Sequence, residues 1–248
     1  MTQRYKLTIE YDGSGYCGFQ KQFGITEKSI EEILEEAVFK MSQEKPKIMV
    51  CGRTDAGVHA LGQVVHFDLE KKFSSHQIIL GLNSYLRQEN LAILDAEITD
   101  ENFHARFNTK MRHYRYAIVN RRAPLVLQKN RAWHVAQLLD ILAMQESAKF
   151  LIGEHDFSSF RDAECQGKSP VKSIEKIEIT QNGEEILIEV SAKSFLHHMV
   201  RNIVGTLVWV GSGKIAALEM KKILEAKDRT KSGPNAPACG LYFLRADY

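Results

Sequence analysis

Residues 51 to 69 read CGRTDAGVHALGQVVHFDL, and the reading of the whole chain turns on how they divide. GQVVHFDL at its end is rich in β-branched and aromatic residues, and KIMVCG just before Arg53 has the same character, so both fit strands. Thr54-Asp55-Ala56-Gly57 between them has the residues of a tight turn. Turn geometry by itself accounts for an Asp and a Gly there. Why Arg53, Asp55 and His59 stand together there is a question that turn chemistry leaves open, and on turn chemistry alone a structural Asp55 is the plainer reading.

Working outward, RYKLTIEY places Tyr5, Leu7, Ile9 and Tyr11 on one side of a half-buried strand. SIEEILEEAVFKM repeats apolar residues at helical spacing behind a Ser29/Glu32 capping box. SSHQIILGLNSYLR predicts a second helix and LAILDAEIT a closing strand, which makes the order β-α-β-β-α-β. The second half repeats it with MRHYRYAIVN as strand, VAQLLDILAMQESAKFLIG as helix, and SIEKIEITQNGEEILIEV as a hairpin turned at Asn182-Gly183. The helix HMVRNIVGTLVWV, a further helix around IAALEMKKILEA and the strand GLYFLRA follow.

The expected fold is α+β: two ferredoxin-like halves, residues 1–105 and 106–248, with antiparallel sheets, flanking helices and a central cleft. A length of 248 residues with 44% apolar content is enough to fill a core. No apolar run approaches the roughly 20 residues that span a bilayer, and MTQRYKLTIEYDG lacks a secretion signal's apolar region, so a cytoplasmic protein is expected. Cys17, Cys51, Cys165 and Cys239 form no C-x-x-C pair, which argues against a disulfide framework or a zinc ribbon.

A net charge of +2 with a pI of about 8.3 diagnoses no partner, but the charge is unevenly spread. From Phe103 to Arg131 there is no Asp or Glu, whereas Arg106, Lys110, Arg112, Arg115, Arg121, Arg122, Lys129 and Arg131 are cationic, with Tyr114 and Tyr116 among them. Cations pair with phosphates and flat rings stack on exposed bases, so the segment suits a nucleic-acid strand; a solvated strand face is the plainer alternative.

GSGYCG at Gly13 to Gly18 matches the dinucleotide-binding spacing G-x-G-x-x-G, but no helical periodicity begins within it and nucleotide binding is not expected. His197 and His198, if on a helix, would point about 100° apart, and no other histidine or cysteine spacing suggests a metal site. Arg201 falls at the edge of the stripe formed by Met199, Val200, Ile203, Val204, Leu207 and Val208. There it either reaches toward a cleft or covers apolar surface.

YDGSGYCGFQ, GRTDAGVHALGQVVHF, FHAR, RHYRY, GEHDFSSF, CQGKSPV, SFLHHMVRNIVG and the ending AP-x-x-GL-Y, in that order, resemble the TruA family of tRNA pseudouridine synthases over nearly the whole chain. The resemblance implies an isomerase that converts uridine to pseudouridine at positions 38, 39 and 40 of the tRNA anticodon arm. It implies no cofactor and a homodimer.

By the same resemblance Asp55 is the catalytic aspartate. Arg201 is the cation that keeps its carboxylate ionised, and Arg53 helps flip the nucleotide. Tyr114 stacks on the uracil or assists removal of the C5 proton, although Tyr116 would share its strand face. Leu241 packs on the base. Arg106, Arg115 and Arg121 belong to a tRNA track. Whether Asp55 attacks the ribose C1′, attacks the base C6 or takes the 2′ proton stays open. An RNA-binding module without catalysis is the alternative of another class.

Overall fold

A computed structural model of the chain describes residues 2–22, 24–162, 165 and 169–248. Gln166, Gly167 and Lys168 of the CQGKSPV motif lie outside the described residues, as does Phe23 after the glycine motif. The chain forms two compact units, Met1–Lys110 with Tyr242–Tyr248, and Met111–Leu241.

In the first unit, β1 (Gln3–Tyr11) runs between β3 (His59–Leu69) and β4 (Leu91–Thr99), antiparallel to both. Tyr5, Leu7, Ile9 and Tyr11 are buried, as the period of two requires. β2 is shorter than KIMVCG suggests, only Met49–Val50, paired with β3 through Met49–His66 and Val50–Val65. The strand stops because the Gln63 side-chain amide takes the Gly52 carbonyl, at 2.8 Å, where a ladder bond would continue. From Tyr242 onward, β10 (Leu241–Asp247) runs parallel to the start of β3, with Tyr242 opposite His59.

Helix α1 (Ile30–Ser42) begins at the Ser29/Glu32 capping box and turns Ile30, Ile33, Leu34, Ala37 and Val38 inward. Helix α2 (Ser75–Tyr85) has a second box, Ser74 with Gln77, and buries Ile78 and Leu82. Each box satisfies backbone N–H groups that a helix start otherwise leaves unpaired. The chain order is β-α-β-β-α-β and β2 and β4 lie at opposite edges of the β1–β3 pair. That is the ferredoxin-like arrangement expected for this half.

In the second unit, β5 (Met111–Asn120), β9 (Glu185–Ala192), β8 (Val171–Asn182) and β7 (Gly153–Asp156) lie side by side, each antiparallel to the next. A short β6 (Trp133–Val135) runs parallel to the end of β5. The β8–β9 hairpin is paired through Asn182–Glu185, so its loop is Gly183-Glu184, one residue later than Asn182-Gly183. Gly183 takes the left-handed conformation there, with φ 59°.

The helix expected over 135–153 is much shorter: α3 spans Ile141–Ala148. Asn120 explains the difference. Its amide donates to the carbonyls of Val135 (2.8 Å) and Gln137 (2.7 Å) and accepts the Leu139 N–H (3.1 Å), so those backbone groups are satisfied outside a helix. Asp140 then caps α3 by accepting the Ala143 N–H. Helix α4 (Met199–Gly211) is enclosed nearly all round, with only Arg201 and Trp209 keeping partial exposure, and α5 spans Glu219–Ala226.

Candidate active site

Asp55 lies half-buried in the turn between β2 and β3, and its carbonyl accepts the Val58 N–H at 3.1 Å to close that turn. Arg53 beside it is exposed. The residues around Asp55 are held from two sides. Thr54 Oγ1 lies 2.7 Å from the buried hydroxyl of Tyr11, the last residue of β1, and the Thr54 carbonyl accepts the Phe19 N–H at 3.0 Å. A carboxylate on a turn whose backbone is pinned in this way keeps its position while staying open to solvent.

The glycines of GSGYCG serve this same turn. A Cβ on Gly13 would stand 2.0 Å from the Val58 carbonyl oxygen, and one on Gly18 would stand 2.8 Å from that of Thr54, at a φ of 108°. Only glycine permits so close an approach of two backbones. The first helix after the motif starts at Ile30, so no helix N-terminus opens within it. His59 Nδ1 lies 3.0 Å from the Gly13 backbone nitrogen and 3.1 Å from Asp12 Oδ1, which ties the ring to the two residues that follow β1. The His59 ring stacks on Tyr242 with centroids 4.7 Å apart.

In the second unit, Tyr114 and Tyr116 have different surroundings although they share a strand. Tyr116 is fully buried, its hydroxyl donates to the Pro237 carbonyl at 2.7 Å, and burial pushes the phenol well above its usual range. Tyr114 is half-buried, with its ring edge-on to Phe195 at 5.1 Å. Arg201 donates from Nε to the Ala236 carbonyl at 2.7 Å, and its own carbonyl accepts the Ala236 N–H at 3.3 Å. Leu241 is buried at the start of β10.

His197 and His198 precede α4 instead of lying on it. His198 is the left-handed residue before the helix, with φ 59°, and the two rings stack at 3.8 Å. The expected 100° divergence assumed helical backbone and does not apply. His198 Nδ1 lies 2.7 Å from Asp162 Oδ2, a pairing that spacing along the chain did not suggest.

Two members of the basic segment already have acidic neighbours: Arg115 pairs with Glu189 at 2.7 Å and Arg121 with Glu184 at 2.9 Å. Arg106 is exposed, in the FHAR turn where its N–H donates to His104 Nδ1 at 3.1 Å.

The family model described as tRNA pseudouridine synthase matches residues 7–108 and 147–248. The chain belongs to the tRNA pseudouridine synthase family. tRNA pseudouridine synthase A of Afipia carboxidovorans is 49% identical over 245 residues, covering 99% of each chain. The protein of the same name from Rhodospirillum rubrum is 48% identical over 245 residues, 99% of this chain and 87% of its own. A solved Cbf5-Nop10-Gar1 complex gives a TM-score of 0.37 at 10% identity, covering 97% of this chain and 58% of that one, too low a likeness to argue from.

As a tRNA pseudouridine synthase the protein is an isomerase that acts on uridine in tRNA. Asp55, Arg53, Arg106, Arg201 and Leu241 fall inside the matched segments, whereas Tyr114, Arg115 and Arg121 fall between them. Spacing along the chain did not single out Tyr11, Thr54 or Gln63. A buried phenol at the end of an alternating strand was the available signal, since such a hydroxyl needs a partner.

Proposed function

We propose that this tRNA pseudouridine synthase isomerises uridines 38, 39 and 40 of the anticodon stem-loop, with Asp55 as its catalytic carboxylate and no cofactor. The observation that carries the reading is the Asp55 turn: its backbone is fastened on both flanks, and Asp55 itself remains partly open. The reaction breaks the bond from ribose C1′ to N1, rotates the uracil and joins C1′ to C5, whose proton is lost while N1 takes one up. Atoms and electrons balance without water or an oxidant. A carboxylate acting as nucleophile or base is sufficient to start it.

Arg53, Arg201 and Leu241 take the roles that the resemblance gives them. Between the tyrosines the reading favours Tyr114, because the Tyr116 hydroxyl is committed to Pro237. Arg106 is an exposed member of the proposed tRNA track, and Arg115 and Arg121 have carboxylate partners to leave before they meet phosphate. A cytoplasmic location and a homodimer complete the proposal, the homodimer on the resemblance alone.

The test is release of tritium from tRNA carrying 5-tritiated uridine, with the native chain and Asp55→Ala compared. Release by the native chain only, with tRNA affinity kept by the variant, is the expected result. Equal release by both would overturn the role of Asp55.

A further inference from the structure

The first unit holds a buried polar cluster that the reaction does not itself explain. Tyr11, 4% exposed, ends β1 with its hydroxyl 2.7 Å from Thr54 Oγ1, and the Gln63 side chain lies beside the same phenol. Gln63, fully buried, donates from Nε2 to the Gly52 carbonyl at 2.8 Å and accepts the Val64 N–H at 3.2 Å. The network thus touches the chain at Gly52 and Thr54, the residues on either side of Arg53 and just before Asp55. Burial pushes the phenol up to about 12, so it stays an uncharged hydroxyl throughout the working range.

The opposite flank is covered by the glycine motif. Phe19 N–H reaches the Thr54 carbonyl, and Gly18 stands so close that a Cβ would press on Thr54 O, Ala56 N and the Asp55 carbonyl carbon. A side-chain hydroxyl on one side and a backbone clasp on the other leave the turn a single position. Fold stability alone is a weak account of this arrangement: an apolar Phe/Val pair would fill the same volume without a buried polar group to satisfy.

We propose that Tyr11 is a positioning residue for catalysis, its hydroxyl setting Thr54, and through it the Asp55 carboxylate, at the geometry the reaction requires. This rests on the reading of Asp55 as catalytic. Displacement of a catalytic group by about 1 Å costs on the order of 100-fold in rate. Tyr11→Phe and Thr54→Val are therefore expected to lower the single-turnover rate roughly 10- to 100-fold, with KM and tRNA affinity within about two-fold. Thr54→Ser, which keeps the hydroxyl, is expected to restore the rate.

Rates are measured on folded protein, with circular dichroism as the check, well below each variant's melting temperature, beside Asp55→Asn. The double variant Tyr11→Phe/Thr54→Val is expected to be no slower than the slower single one, since both remove the same contact. Native rates for Tyr11→Phe and Thr54→Val, with Asp55→Asn inactive, overturn the positioning role and leave Asp55 catalytic. An active Asp55→Asn overturns the underlying reading and this proposal with it. Should Tyr11→Phe fail to fold, the contrast between Thr54→Val and Thr54→Ser decides the matter: equal rates refute the proposal.

Discussion

Arg115 and Glu189 face each other across β5 and β9, and the guanidinium donates from Nε (2.9 Å) and Nη2 (2.7 Å) to a single carboxylate oxygen. A cation already paired in the same sheet releases few counterions on meeting phosphate, because the pair must first separate. Arg115→Ala is accordingly expected to change the slope of log K against log salt for tRNA by less than about 0.4. Arg106→Ala should flatten it by roughly 0.7 to 0.9, the value of one phosphate contact. Binding titrations over a range of salt concentrations check both.

The two tyrosines of β5 should separate cleanly. Tyr116→Phe removes the donor to the Pro237 carbonyl and should cost about 1 to 2 kcal/mol of stability with kcat unchanged. Tyr114→Phe should leave stability within about 0.5 kcal/mol and lower kcat. Urea unfolding together with tritium release distinguishes them, and a catalytic defect confined to Tyr116→Phe would reverse the assignment.

Asn120 carries three backbone hydrogen bonds to the segment before α3. Asn120→Ala leaves two carbonyls and one N–H without that partner and is expected to destabilise the protein by about 3 kcal/mol, roughly 1 kcal/mol for each bond. A denaturant midpoint equal to that of the native chain would show that water replaces the amide fully.

His66 makes stability depend on pH. The Ala105 N–H donates to its Nδ1 at 3.2 Å, so the neutral ring fits and the imidazolium does not. Burial, helped by His104 and Arg4, lowers the group from 6.5 to about 4. With the folded value depressed, the unfolded chain takes up the proton first as pH falls. The contribution is complete above about pH 6.5 and is lost progressively toward pH 4, on the order of 3 kcal/mol at most. His66→Asn, whose amide oxygen accepts the same bond and does not titrate, should flatten unfolding free energy against pH over that window.

Much of the fold was legible because it is encoded within a few residues. The alternation of Tyr5, Leu7, Ile9 and Tyr11, the Ser29/Glu32 box and the edge position of Arg201 on its helix are all consequences of periods of two or about 3.6 residues. The motifs around Asp55 and Arg201 were legible for a different reason: they resemble a family, and family membership bears that resemblance out. Where local reading failed, a distant side chain or a left-handed backbone residue had intervened. Asn120 shortened the helix after it, Gln63 cut β2 short, and a left-handed His198 took the histidine pair off its helix.

The sequence by itself thus determined the element order of the first half and its two helix starts, and it singled out the Asp55 turn through the family resemblance. Only the tertiary structure decided that Tyr116 is bound to Pro237, 121 residues away, while Tyr114 on the same strand is not buried. It also decided that Tyr11 meets Thr54, 43 residues on, and that the motif resembling a nucleotide loop is a clasp for the Asp55 turn. The physical reason is range: periodicity reports which way a side chain points, and a hydrogen bond between remote residues depends on strand register and backbone approach that appear only when the chain has folded.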